Sequence, residues 1–239
     1  MRQGLVVTIA LLLTVDLWAG DPWKRRSSKD WDENDVREIL NESPWAKRIH
    51  VEGDEKTHTD FEAQEKASGG EGGGNDEAGR VGETDTENEK SGTALVIRWV
   101  SSRTMREAWT RGQVLQKRIY EADAEKLRPS ASDDYELLIL GPGVALFGKS
   151  DEDALKQDSY LLAKKSKQRT NASRVELMRM PDGKGIRGIL FHFPKKTQSG
   201  QPICSVDDKE LKFVSRAGTT EIRTSFDLQK MVDKEGMDL

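Results

Sequence analysis

The chain has 239 residues, 35% of them hydrophobic and 33% charged, with a formal net charge of −4. That is enough for one ordinary domain plus extra segments, and the hydrophobic share is low enough that some stretch must dilute it. A single cysteine, Cys204, excludes an internal disulfide framework and a cysteine-based metal cluster.

The first 20 residues read as an export signal. Arg2 supplies the positive region, residues 5–15 (LVVTIALLLTV) the apolar stretch, and Ala19 a small-residue exit, with cleavage expected after Ala19 or Gly20. Asp16 interrupts the run and leaves it too short for a bilayer core of about 30 Å, so no stable membrane span is expected once the signal is removed. Lys24, Arg25 and Arg26 work against translocation, and a buried N-terminal helix is the competing reading.

Residues 21–51 form a short tryptophan-rich unit. Asp32 to Asp35 offer N-cap candidates, and Val36, Ile39 and Leu40 recur at helical spacing. Ser43-Pro44 ends the helix, because the residue before proline is pushed out of the helical region. Trp23, Trp31 and Trp45 flank it and need a surface to cover; docking onto the main domain is expected over a partner- or sugar-binding patch. Residues 52–92 hold thirteen acidic and four basic side chains and nine glycines, with Phe61 and Val81 as the large apolar residues. So little apolar surface cannot offset an ordering cost on the order of 1 kcal/mol per residue, and a disordered acidic linker is predicted.

Residues 93–239 read as an α+β domain. "TALVIRWV" is apolar on both faces, as a central strand is. A long helix follows, with a capping box at Thr104 and Glu107 and a buried stripe of Met105, Ala108, Trp109, Leu115, Ile119 and Ala122; Gly112 marks close approach to the sheet. "DYELLILG" is the next strand. Two hairpins turn at residues 181–184 and at Ala217-Gly218, and Asp227 is a candidate cap for a final helix. The expected architecture is a mostly antiparallel sheet packed by one long helix, plus the small N-terminal helix.

Residues 143–150 (GVALFGKS) match the phosphate-loop pattern at Gly143, Gly148, Lys149 and Ser150. Its variable positions are Val144, Ala145, Leu146 and Phe147, which resist the positive φ angles of a phosphate nest, and a strand ending in a magnesium-binding Asp is missing. A strand-to-loop exit, with Leu146 and Phe147 in the core and Lys149 on the surface, is therefore expected rather than nucleotide binding.

Other chemistry is thin. His192, Cys204 and Asp207 contain the residue types of a cysteine nucleophile with base and orienter, the basis of an alternative hydrolase reading. His192 alternates with Phe191 and Phe193, as a half-buried strand histidine does; His50 and His58 lie in or beside the linker. Asp151 to Asp153 and Asp207 to Glu210 lack calcium-loop spacing and read as caps and turns. The basic run Lys164, Lys165, Lys167 and Arg169, joined by Arg174, Arg179 and Lys184, has no interleaved aromatic and reads as a solvated loop. No catalytic residue, cofactor, metal site or nucleic-acid partner is assigned.

The segment "WDENDVREILNESPWAKRI", then "VIRWVSSRTMREA", "ILFHFPK", "DDKELKFVSRAGTTEIRTSFDLQKMV" and a short "MDL" resemble an uncharacterised family of exported bacterial proteins. The shared features fall at Ser43 to Ala46, at Arg98-Trp99 and at Asp208 to Glu210, and the long acidic insertion departs from the pattern. The resemblance implies export and brings no activity, site residue or ligand. The expected function is non-catalytic binding or scaffolding outside the cytoplasm, with an envelope protein or polymer as partner.

Overall fold

The structure, a computed structural model, describes residues 21–51 and 94–239. The expected signal segment (1–20), the acidic linker (52–92) and His58 lie outside these residues. Within them the chain is α+β, with antiparallel sheets and several short helices.

The N-terminal unit begins with one turn, α1 (Pro22–Arg25), and continues to α2 (Glu33–Glu42). Asp32 and Asp35 close a reciprocal box: each carboxylate accepts from the other's backbone N–H at 2.9 Å. The Ser43 hydroxyl donates to the Ile39 carbonyl at 2.6 Å where α2 stops. The chain then straightens into β1 (Ala46–His50), which pairs along its length with β2 (Ala94–Trp99). The tryptophan unit therefore contributes a strand to the sheet as well as a helix beside it.

The first sheet has the order β1-β2-β3-β7-β6, with β3 (Asp134–Leu140), β6 (Arg174–Arg179) and β7 (Ile186–Pro194). The second runs β5-β4-β8-β9, with β4 (Tyr160–Ala163), β5 (Arg169–Asn171), β8 (Glu210–Ala217) and β9 (Thr220–Asp227). Strand alternation sends Leu95, Ile97, Trp99, Leu137, Ile139, Phe191 and Phe193 of the first sheet into the core, which Leu161, Leu211, Phe213 and Phe226 of the second complete. Phe191 meets Phe213 at 5.3 Å and Trp99 meets Phe226 at 5.1 Å, centroid to centroid. Trp23, Trp31 and Trp45 are buried in the same core, with Trp23 edge-on to Trp45 at 5.5 Å.

Helix α3 (Arg103–Leu115) corrects several expectations. It is the longest, at 13 residues, but α2 has 10, so the sheet is not packed by one long helix. Its N-cap is Ser102, whose hydroxyl accepts from Met105 N at 3.1 Å; Glu107 pairs instead with Arg128 at 3.1 Å. The helix ends before Ile119 and Ala122, and Trp109 is 46% exposed, so the buried stripe is narrower than periodicity suggests. Gly112 approaches α2 and not the sheet: a Cβ there would sit 3.3 Å from Val36 Cγ1. After α3 come the single turn α4 (Ala124–Leu127) and, beyond β3, helix α5 (Glu152–Gln157). No helix follows Asp227; the chain closes with the small hairpin β10 (Val232–Asp233) and β11 (Gly236–Met237), and Leu228 and Met231 are buried through turns.

Candidate functional site

In an antiparallel ladder directly paired residues share a face, so the registers give the composition of each side of the first sheet. Opposite the core, two rows cross all five strands: Arg48–Val96–Leu140–Gly188–Met178 and Ala46–Arg98–Leu138–Leu190–Glu176. A third row holds Glu136, His192 and Arg174. Val96, Leu138, Leu140, Leu190 and Met178 are each part exposed, and the half-buried residues that pack against the core do not include them. Leu140 and Met178 lean over Gly188, where a Cβ would lie 2.9 Å from Leu140 Cδ2 and 3.4 Å from Met178 Sδ. Helix α2 reaches this face at one corner, where Arg98 donates to Leu40 O at 2.6 Å and to Asn41 Oδ1 at 2.8 Å. The strands are thus apolar on both sides, and among the described residues the second sheet covers one of them. Apolar residues at both parities in β2, β3 and β7 signalled this surface, although the same pattern also reads as a strand covered on both faces.

His192 closes one edge of that face and is 2% exposed, more deeply buried than its alternation suggests. Its Nε2 lies 3.0 Å from Glu176 Oε1, and its Nδ1 lies 3.4 Å from both Glu136 Oε1 and Arg174 Nη2. Ser132 donates to Glu136 at 2.8 Å and Arg174 pairs with Glu176 at 2.9 Å, so every group in the cluster is partnered.

Cys204 stands on the other side of the sheet. It is buried, with Sγ 3.7 Å from the hydroxyl of Tyr135, a core-facing residue, whereas His192 pairs with Glu136 on the opposite face. Burial, offset in part by the Tyr135 hydroxyl and reinforced by Asp208, pushes the thiol up to about 11. A thiol so protonated at neutral pH is a poor nucleophile. Asp207 is exposed in the short 3₁₀ helix Val206–Asp208. The three residues of the hydrolase reading are not brought together.

Pro142 and the first five residues of the Gly-Lys-Ser motif, through Phe147, wind into a 3₁₀ helix. Its amides are engaged internally: Val144 N donates to Gly141 O at 3.2 Å, Gly148 N to Ala145 O at 3.0 Å, and Ser150 N to Phe147 O at 3.0 Å. Gly148 has φ −63°, and the left-handed glycine is Gly141, ahead of the motif. Phe147 is fully buried, Leu146 packs on the core and Lys149 is exposed. This backbone presents no nest of N–H groups to a phosphate.

The acidic clusters act as caps. Asp151 accepts from Ala154 N at 2.7 Å, and Asp208 accepts from Ser166 N at 2.8 Å and Ser205 N at 3.0 Å. These amides outweigh burial and hold the Asp208 carboxyl below its ordinary value. Among the described residues no cluster of metal-ligating side chains occurs. The basic run is divided: Lys164 pairs with Glu210 at 2.9 Å, Arg174 joins the His192 cluster, and Arg169 lies 3.8 Å from the Tyr160 ring centroid, so an aromatic does accompany it. An open groove of about 470 Å³ beside α3 is lined by residues whose charges pair with one another, Arg111 with Glu121 at 2.9 Å and Arg128 with Glu107. No described helix is long and apolar enough to cross a membrane. Comparison with family models, with curated proteins and with solved structures finds no match to this chain.

Proposed function

We propose that this protein is exported and acts by non-covalent binding, as an interaction or scaffold component outside the cytoplasm, with the part-exposed face of the five-stranded sheet, opposite the second sheet, as its contact surface. The part-exposed group of Val96, Leu138, Leu140, Leu190 and Met178 carries this reading, because a contiguous apolar patch rimmed by charge is the usual mark of a protein contact. Export is supported by the apolar run at residues 5–15. The hydrolase alternative gains nothing from the geometry, since His192 and Cys204 lie on opposite faces.

Two measurements test the proposal. Mass spectrometry of the protein from fractionated cells should find a chain beginning near residue 20 in the envelope or medium; a cytosolic chain that retains Met1 would overturn export. Affinity capture on the wild type and on Leu138→Lys should differ in bound protein, while both variants keep the same thermal midpoint. Identical capture would remove the face from the function.

A further inference from the structure

We infer that His192 is a proton-operated switch: its Nδ1 accepts a hydrogen bond from Arg174 when the ring is neutral and donates one to Glu136 when the ring is protonated. The geometry of the cluster carries this independently of what the sheet face binds. A guanidinium only donates, an ionised carboxylate only accepts, and a ring nitrogen does one or the other according to its proton. Nε2 lies 3.0 Å from Glu176 Oε1, so it carries the proton of the neutral ring and leaves Nδ1 with its lone pair. At Nδ1 an obligate donor and an obligate acceptor stand equally near, Arg174 Nη2 and Glu136 Oε1, each 3.4 Å away. In the neutral state Arg174 supplies the hydrogen, and the same Glu136 oxygen accepts from the Ser132 hydroxyl at 2.8 Å. A proton taken up from water at Nδ1 reverses these roles. The lone pair that accepted from Arg174 is gone, the new N–H serves Glu136, and Arg174 retains Glu176, 2.9 Å from its Nη1.

The charged groups around the ring are few. From β3 it meets Glu136, while Asp134 on the same strand lies 3.4 Å from the Ser173 hydroxyl; from β6 it meets Glu176 and Arg174. Lys195, just past the end of β7, donates to Ser132 O at 2.9 Å. Two carboxylates against one guanidinium leave one negative charge, which the imidazolium cancels. The ring is buried and Arg174 is exposed, so the exchange at a desolvated nitrogen is read out by a side chain at the surface.

NMR on the isotope-labelled full chain tests the switch, following the His192 ring, the Arg174 guanidinium and the Glu136 carboxyl between about pH 8 and about pH 5, where histidines titrate. At the alkaline end the ring should be the Nε2–H tautomer with Nδ1 unprotonated. As the ring gains its second proton, the Arg174 Nε–H and Glu136 Cδ resonances should move with the same midpoint. In Glu136→Gln the Arg174 response should shift to lower pH, and in His192→Gln it should be lost. A neutral ring protonated at Nδ1 overturns the switch. So do Arg174 and Glu136 resonances that fail to follow the ring, or a ring that stays neutral to the acid end of the series. The wild type alone gives these three readings, so they decide the matter even where a variant fails to fold. Capture with Leu138→Lys tests the sheet face separately, and neither result bears on the other.

Discussion

Asp238 shows how much a single side chain contributes. Helix α3 begins with N–H groups that lack partners inside the helix, and the Asp238 carboxylate accepts from two of them, Arg103 N at 2.6 Å and Thr104 N at 2.8 Å. Its own carbonyl accepts from Trp45 Nε1 at 2.5 Å, so one residue ties the start of α3 to the tryptophan unit. Asp238→Ala should lower the unfolding free energy by about 1–2 kcal/mol in urea titration, within the range for losing a helix cap. Cys204 and Tyr135 give a second prediction at this scale. Burial raises both, Cys204 from its ordinary 9.0 to about 11. The folded state therefore holds its proton more tightly than the unfolded one. The associated stability is complete below pH 9 and declines as pH rises through about 11. A pH series of thermal midpoints should show that decline, reduced in Cys204→Ala. Thiol labelling of the native protein at neutral pH should be slow and should accelerate on unfolding.

At the scale of elements, two glycines fix how pieces meet. Gly112 lets α3 lie against α2 at Val36, and Gly112→Leu should cost about 1–3 kcal/mol by forcing the helices apart. Gly141 has φ +111°, and a Cβ there would fall 2.6 Å from the Ala94 carbonyl oxygen, so Gly141→Ala should destabilise the β3 exit whatever its neighbours do. The 3₁₀ turn that follows predicts a chemical negative: calorimetry with magnesium-ATP should give the same null heat for wild type and Lys149→Ala, since its amides are already engaged. Ser43, Trp45, Arg98, Trp99 and Asp208 are all joints between elements. Ser43 ends α2, Trp45 and Trp99 pack the core, Arg98 ties β2 to the α2 C-terminus, and Asp208 pins the β4–β5 loop.

At the scale of the whole molecule, residues 21–51 and 94–239 share one core. The five β1–β2 pairs, the Trp99 N–H donating to Trp45 O at 2.8 Å, and the burial of three tryptophans bind the first segment to the second. Cleavage at an engineered protease site between residues 52 and 92 should therefore leave two fragments that co-elute on gel filtration and separate in denaturant. Trp45→Ala should destabilise the entire fold by about 3–5 kcal/mol, with both segments unfolding in one transition.

The sequence alone determined what depends on near neighbours. Asp32 and Ser43 mark the ends of α2 because caps act over three or four residues, both hairpin turns are announced by glycine, and Leu146 with Phe147 argue against a phosphate nest through local sterics. β4 and β5 were illegible: one is four residues long, the other a polar Arg-Thr-Asn, and pairing of β4 with β8 and of β5 with β4, rather than periodicity, makes them strands. The Asp238 cap and the Gly112 contact with α2 likewise depend on residues distant in the chain. So does the face proposed as a contact surface. That β2, β3 and β7 are apolar on both sides is written in their composition, but which side lies under the second sheet and which is left open is settled only when the sheets stack, because hydrophobic burial is non-directional and tertiary packing alone assigns it a side.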